Sequence, residues 1–217
     1  MTAANTPSVC VLLFGDSPVA PALAGLPVRA IDDHRQVDDA AREHRRLIVA
    51  GRDADLAAVL TRLLRSAMLD VEIGFASARR SAATRAYRLP AGRRGARRAV
   101  HGSVRRVPLI RDDTGTAIVG GATWRGADAA LYGEAVVDDT VLFDGDVAGV
   151  RITPTPTQPG VRASVLTGRG RPRQWVHGRA AQLGTTGARV YRDGVWAERP
   201  VRRSTFYRHT KGWLLVG

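Results

Sequence analysis

The chain has 217 residues, 44% of them hydrophobic, and a formal net charge of +13. That is enough apolar material for one large or two small cores, and no apolar run reaches the roughly 18 residues of a membrane span. Cys10 is the only cysteine, which excludes a disulfide framework and makes a cytosolic, reduced protein with an inert buried thiol the expectation.

In chain order, Ser8 to Phe14 (SVCVLLF) predicts a buried strand, and the residues before it carry no basic start of the kind a signal peptide has. Pro27 to Ile31 predicts a short strand, Val37 to His44 a helix, and Arg46 to Ala50 another strand. Asp53 to Ser66 is the best helix in the chain. Its Leu56, Val59, Leu60, Leu63 and Leu64 follow the i, i+3, i+4, i+7, i+8 stripe of a core-facing helix. Val71 to Phe75 predicts a strand and Ser77 to Arg88 a helix that stops at Leu89-Pro90. Short strands alternating with helices predict a parallel sheet covered on both faces.

Around 90–102 (PAGRRGARRAVHG) Gly, Pro and Arg replace apolar periodicity, which predicts a linker. Beyond it helix signals nearly vanish, and eight short apolar runs up to Trp213–Val216 alternate with turn signals such as DDTG, FDGD and RDG. That spacing predicts an antiparallel β-sandwich. The expected organisation is an α/β domain over 1–95 followed by an all-β domain over 96–217.

Lys211 is the only lysine, so 32 of the 33 basic residues are arginine. The skew reflects residue usage, but arginine also pairs well with phosphate. Ten arginines fall between Arg79 and Arg106. No helix-turn-helix, RRM or zinc-finger pattern accompanies them, so nucleic acid is not the expected partner.

Gly15-Asp16-Ser17 after the first strand resembles the GDS block of a hydrolase family, whose serine needs a base from a late D-x-x-H. None of the five histidines has an aspartate three residues before it. The histidines also lack metal-ligand spacing, so no metal ligand is assigned. The aspartates from Asp138 to Asp146 cluster without a complete Mg²⁺ ligand set.

The stretch IVAGRDADLAAVL (48–60) runs from a buried strand through a glycine turn into a helix, the architecture that offers backbone N–H groups to an anion. Gly51-Arg52-Asp53-Ala54-Asp55-Leu56 stands where the diacylglycerol-kinase catalytic-domain family, related to NAD kinases, has GGDGT-L. The segment GFASARRSAATRAYRLP (74–90) stands where that family has GTGNDFAR followed by Leu-Pro, with Ser81, Ala82 and Arg85 in its Asn, Asp and Arg positions. Arg192-Asp193-Gly194-Val195 resembles the family's DGE turn. With the α/β-then-β layout, the chain resembles that family throughout.

The resemblance implies the NAD kinase/diacylglycerol kinase-like fold and a nucleotide or phosphorylated small molecule bound at a cleft. The phosphate-binding candidates are Gly51, Arg52, Asp53, Asp55, Ser81 and Arg85. His177, Arg179, Gln182 and Asp193 are the candidates across the cleft. ATP and Mg²⁺ are the implied cofactors. The departures weigh against activity: two turn glycines and the threonine are replaced, and the Asn-Asp pair has become Ser81-Ala82. The expectation is a diverged lipid-kinase-like protein with phosphotransfer weak or lost. Asp53 has a plainer role available, as N-cap of its helix. The alternative is a non-catalytic basic module binding anionic lipid or nucleic acid, with peripheral membrane association and a homodimer as further expectations.

Overall fold

Continuous apolar runs such as Arg46–Ala50, buried at every position, belong in a sheet covered on both faces. A computed structural model of the chain describes residues 8–15, 19–127 and 130–217, which divide into two units. The first comprises residues up to 84, 89–107 and 212–217; the second comprises 85–88 and 108–211.

The first unit contains β1 (Val9–Leu13), β2 (Val28–Ala30), α1 (His34–Glu43), β3 (Arg46–Ala50), α2 (Asp53–Arg65), β4 (Glu72–Ala76), the first residues of α3 (Ala82–Ala86), α4 (Gly92–His101) and β5 (Val104–Val107). The strand β17 (Trp213–Val216) returns to it from the end of the chain. Its sheet runs β2-β1-β3-β4-β17-β5. Only the β17–β5 pairing is antiparallel.

The second unit contains β6 (Ile110–Asp112), β7 (Ala117–Ile118), β8 (Ala122–Gly126), β9 (Leu131–Val137), β10 (Thr140–Val147), β11 (Val150–Pro154), β12 (Val161–Val165), β13 (Val176–Gly178), β14 (Ala180–Arg192), β15 (Val195–Trp196) and β16 (Val201–Arg208). These form one eleven-stranded sheet whose pairings are all antiparallel. Its inner face packs Trp124, Ile152, Val190 and Phe206 into one core. Trp124 donates its indole N–H to Ser204 Oγ at 3.0 Å, so the largest core ring leaves no polar atom orphaned.

Four elements differ from the sequence expectation. The 92–101 segment is a helix, not a linker. Its buried face is Gly95, Ala96 and Ala99, with Arg93, Arg94, Arg97 and Arg98 outside. Small residues serve because the helix lies very close to the sheet: a Cβ on Gly74 of β4 would sit 2.8 Å from both Cβ and O of Ala99. Val100 O also accepts from Arg46, whose guanidinium pairs with Glu72 Oε2 at 2.7 Å and is nearly buried. Second, the helix expected over Ser77–Arg88 contracts to α3, because Ser77 Oγ turns to the Arg79 carbonyl at 2.8 Å and Ser81 starts the helix instead. Third, the first unit extends to residue 107, where composition places the boundary at 95, and it takes back β17. Fourth, Asp144 and Asp146 do not mark a turn but lie within β10, paired with β9.

Asp33 caps α1 by accepting the Arg35 N–H at 3.1 Å, while Gln36 reaches back to the Asp33 N–H at 2.9 Å. Buried Asp38 binds Arg62 of α2 through both carboxylate oxygens. The bond from Arg62 holds the Asp38 carboxyl below its usual value, against a smaller upward push from burial. Burial raises the Cys10 thiol, in keeping with an inert cysteine. Among the described residues no helix is long and apolar enough to cross a membrane.

Two outcomes follow from this packing. Gly74→Ala should lower stability by about 1–3 kcal/mol, because helix and sheet must separate, read as a shift of the urea midpoint at unchanged slope. Asp38→Asn should also lower the midpoint at neutral pH. A depressed folded-state pKa stabilises above the unfolded value of about 3.9, and that stability is lost as pH falls through the folded value. The gap between wild type and Asp38→Asn should therefore be constant near neutrality and close below about pH 4.

Candidate functional site

β3 delivers Gly51 and Arg52 to the start of α2, with Arg52 at the N-cap in extended conformation (φ −97°, ψ 173°). An arginine side chain cannot accept the orphan N–H groups of a helix start. Asp55, at the third helical position, supplies an acceptor instead: its Oδ2 takes the Arg52 N–H at 2.6 Å. That carboxylate lies flat against the turn, so a Cβ on Gly51 would meet Oδ2 at 2.5 Å. A side chain here would push the Asp55 carboxylate off the turn. The Arg52 guanidinium points away, with its side chain 88% exposed and its Nε 3.9 Å from Asp55.

Asp53 is not the N-cap of α2. Its Oδ2 accepts the Ala83 N–H of α3 at 3.0 Å, so it caps a neighbouring helix. Its Oδ1 is buried without a hydrogen-bond partner. Ser81 opens α3 and forms a reciprocal box with Thr84: the Ser81 N–H donates to Thr84 Oγ1 at 2.7 Å and the Thr84 N–H to Ser81 Oγ at 3.2 Å. Thr84 is not among the sequence candidates, although its S-x-x-T spacing is a capping signal. Asp55 thus serves the Arg52 amide beside Gly51, Asp53 ties the start of α2 to α3 through Ala83, and Ser81 bonds within α3 to Thr84. Arg85 is exposed, belongs to the second unit, and its guanidinium has no partner among the described residues.

Within the turn, Asp55 opposes an anion at the helix start, while the Arg52 guanidinium 3.9 Å away carries the opposite charge. A helix start attracts an anion by about 0.3–1 kcal/mol. Two like unit charges about 4 Å apart repel by about 4 kcal/mol at an effective dielectric near 20. The carboxylate of Asp55 therefore outweighs the helix dipole, and it holds the Arg52 amide.

In the second unit, the Asp193 carboxylate accepts three backbone N–H groups, from Val119, Gly120 and Gly121 at 2.7–2.8 Å. Arg179 and Ala180 donate their N–H groups to Asp138 at 2.9–3.0 Å. The side chains of His177, Arg179 and Gln182 are exposed. Arg179 precedes β14 and Asp193 follows it, so the 13 residues of that strand, which shifts register between Gly184 and Ala188, lie between them. His177, Arg179 and Gln182 lie at or near the start of β14, and Asp193 lies beyond its end. Asp16 and Ser17 of the GDS motif lie outside the described residues.

No protein-family model and no curated relative matches the chain. Solved structures do. A diacylglycerol kinase from Bacillus anthracis str. Sterne superposes with a TM-score of 0.72 at 12% identity, over 97% of this chain and 97% of that one. An NAD kinase from Archaeoglobus fulgidus, solved in complex with ATP, superposes with a TM-score of 0.64 at 11% identity, over 96% of this chain and 93% of that one. At these identities the likeness speaks for the backbone: the chain has the fold of the diacylglycerol kinase-like and NAD kinase structures.

Proposed function

We propose that this chain is a diverged protein of the lipid-kinase type that holds nucleotide weakly and has lost phosphotransfer to a lipid or small-molecule hydroxyl. One observation carries the reading: Asp55 Oδ2 occupies the Arg52 amide and the space over Gly51. Phosphoryl transfer needs phosphates in line, a cation bridging them and a group to take the hydroxyl proton. Here the cradle is filled by a carboxylate, and one oxygen of Asp53, Oδ2, is taken by the Ala83 amide. The ATP–Mg²⁺ pair that this fold implies does not fit the turn as it stands. Arg52, exposed and no closer than 3.9 Å to Asp55, is the group that would meet the phosphate of a weakly held ligand.

A second reading has its own observation. Arg93, Arg94, Arg97 and Arg98 of α4 are exposed and make no ion pair among the described residues. Such a helix face suits a non-catalytic module that adsorbs on anionic lipid, at about 1 kcal/mol per arginine near the surface.

Millimolar ATP–Mg²⁺ should raise the melting temperature of the wild type by less than about 1 °C. The variant Arg52→Gly/Ala54→Gly/Asp55→Thr, which empties the turn, should gain several degrees. A large shift in the wild type that Asp55→Thr abolishes overturns the reading. For α4, wild type should sediment with vesicles containing phosphatidylglycerol at low salt, and Arg93→Ala/Arg97→Ala should weaken this several-fold. Undiminished sedimentation of that variant overturns the second reading.

A further inference from the structure

The outward face of the second unit's sheet gathers residues that the 51–55 turn does not need. Strand register sets Arg162 of β12 opposite His177 of β13 and Thr153 of β11. It sets Arg151 of β11 opposite Ser164 of β12 and Thr123 of β8. Arg125 of β8 lies directly opposite Arg189 of β14, and Thr123 opposite Tyr191. The alternate residues of these strands, among them Trp124, Ile152, Ala163 and Val190, face the core, so the arginines share the other face.

None of the four arginines makes an ion pair among the described residues. Asp193, the carboxylate nearest in sequence to Arg189, is bound to the 119–121 amides. Glu198, after β15, forms no ion pair either. Like charges directly opposite across a ladder destabilise it, so the face carries an unmet demand for anions. Aromatic rings stand at both ends. The Arg162 guanidinium lies 4.3 Å from the Trp175 ring. At the other end Arg189 lies 4.9 Å from the Trp196 ring, which is 44% exposed and packs at 5.0 Å on Tyr191.

We propose that this face binds single-stranded nucleic acid. The spread of the guanidiniums over adjacent strands selects that ligand. Arg162 reaches Thr153 at 2.8 Å, Arg151 reaches Thr123 at 3.4 Å, and Arg125 reaches Ala148 O at 2.9 Å. Arg162 leans from β12 onto β11 and Arg151 from β11 onto β8, while Arg125 leans back to the residues before β11, so the guanidiniums are spread over three strands and match a row of phosphates better than one. With strands about 4.8 Å apart, β12 to β14 spans about 14 Å, room for a few nucleotides of a backbone-tracking groove. Aromatic rings at both ends supply stacking platforms, which a lipid surface does not need and a chain of bases does. The face is built from residues 123–196 on six strands, which is why no linear motif announces it.

Fluorescence anisotropy with a fluorescein-labelled 12-nucleotide oligo(dT) at low salt tests this. Wild type should bind in the micromolar range. Arg151→Ala/Arg162→Ala should weaken binding about tenfold and lower the salt slope by about 1.4, at about 0.7 for each phosphate left without its arginine. Trp196→Ala changes no charge and is exposed, so it spares the fold; it should weaken binding about fivefold or more and leave the slope unchanged. The charge-matched Arg93→Ala/Arg97→Ala on α4 should change little. Wild-type affinity for the oligonucleotide weaker than about 100 µM overturns the proposal. So does an α4 variant as damaged as the sheet variant alongside an unaffected Trp196→Ala. Sheet variants that lose phosphatidylglycerol vesicles while keeping the oligonucleotide also overturn it.

Discussion

Backbone N–H groups at helix starts and strand turns need acceptors, and in this chain aspartate carboxylates supply them. Asp33 does so for α1, Asp55 for α2, Asp53 for α3 and Asp193 for the 119–121 turn. Asp138 anchors the start of β14, and Asp112 holds the Thr114 and Thr116 amides while pairing with Arg192 at 2.5 Å. A charge-assisted bond to an amide is stronger than a neutral one, and a turn with several amides converging has no cheap alternative. The same requirement makes a glycine turn a phosphate site in one sequence and a closed turn in another. What changes is whether the acceptor comes from a ligand or from the third residue of the helix.

Packing in the first unit follows from a second constraint, the narrow gap between α4 and the sheet. Gly74, Ala96 and Ala99 remove side-chain bulk so that a helix with four arginines can lie on β4 and β17. The Arg46–Glu72 pair beneath it is nearly buried, and its second link to Val100 O ties β3 and β4 to the helix. Removing one partner of such a pair costs more than the pair contributes, because a charge is left stranded.

These two constraints explain what the sequence shows and what it hides. The α2 stripe of leucines and the apolar runs of β1, β3 and β4 declare themselves because their pattern is hydrophobic. The helix at 92–101 reads as a linker because its buried face is alanine and glycine, which carry little hydrophobic contrast. The place of β17 depends on pairing Leu214 with Glu72 of β4, a long-range choice that Trp213–Val216 cannot express locally. The 51–55 turn is legible as an element between a strand and a helix. Its geometry is not, because Arg52 looks like the residue that fills the turn, while the structure places Asp55 Oδ2 on the Arg52 amide.

Charge is distributed by the same rule in both units. The chain carries 20 acidic against 33 basic residues, and several of its aspartates serve backbone amides. The arginines of α4 and those of the β12–β14 face stand without ionic partners among the described residues. In both units, then, aspartates serve backbone amides while arginines on a helix face and on a sheet face carry the surplus positive charge.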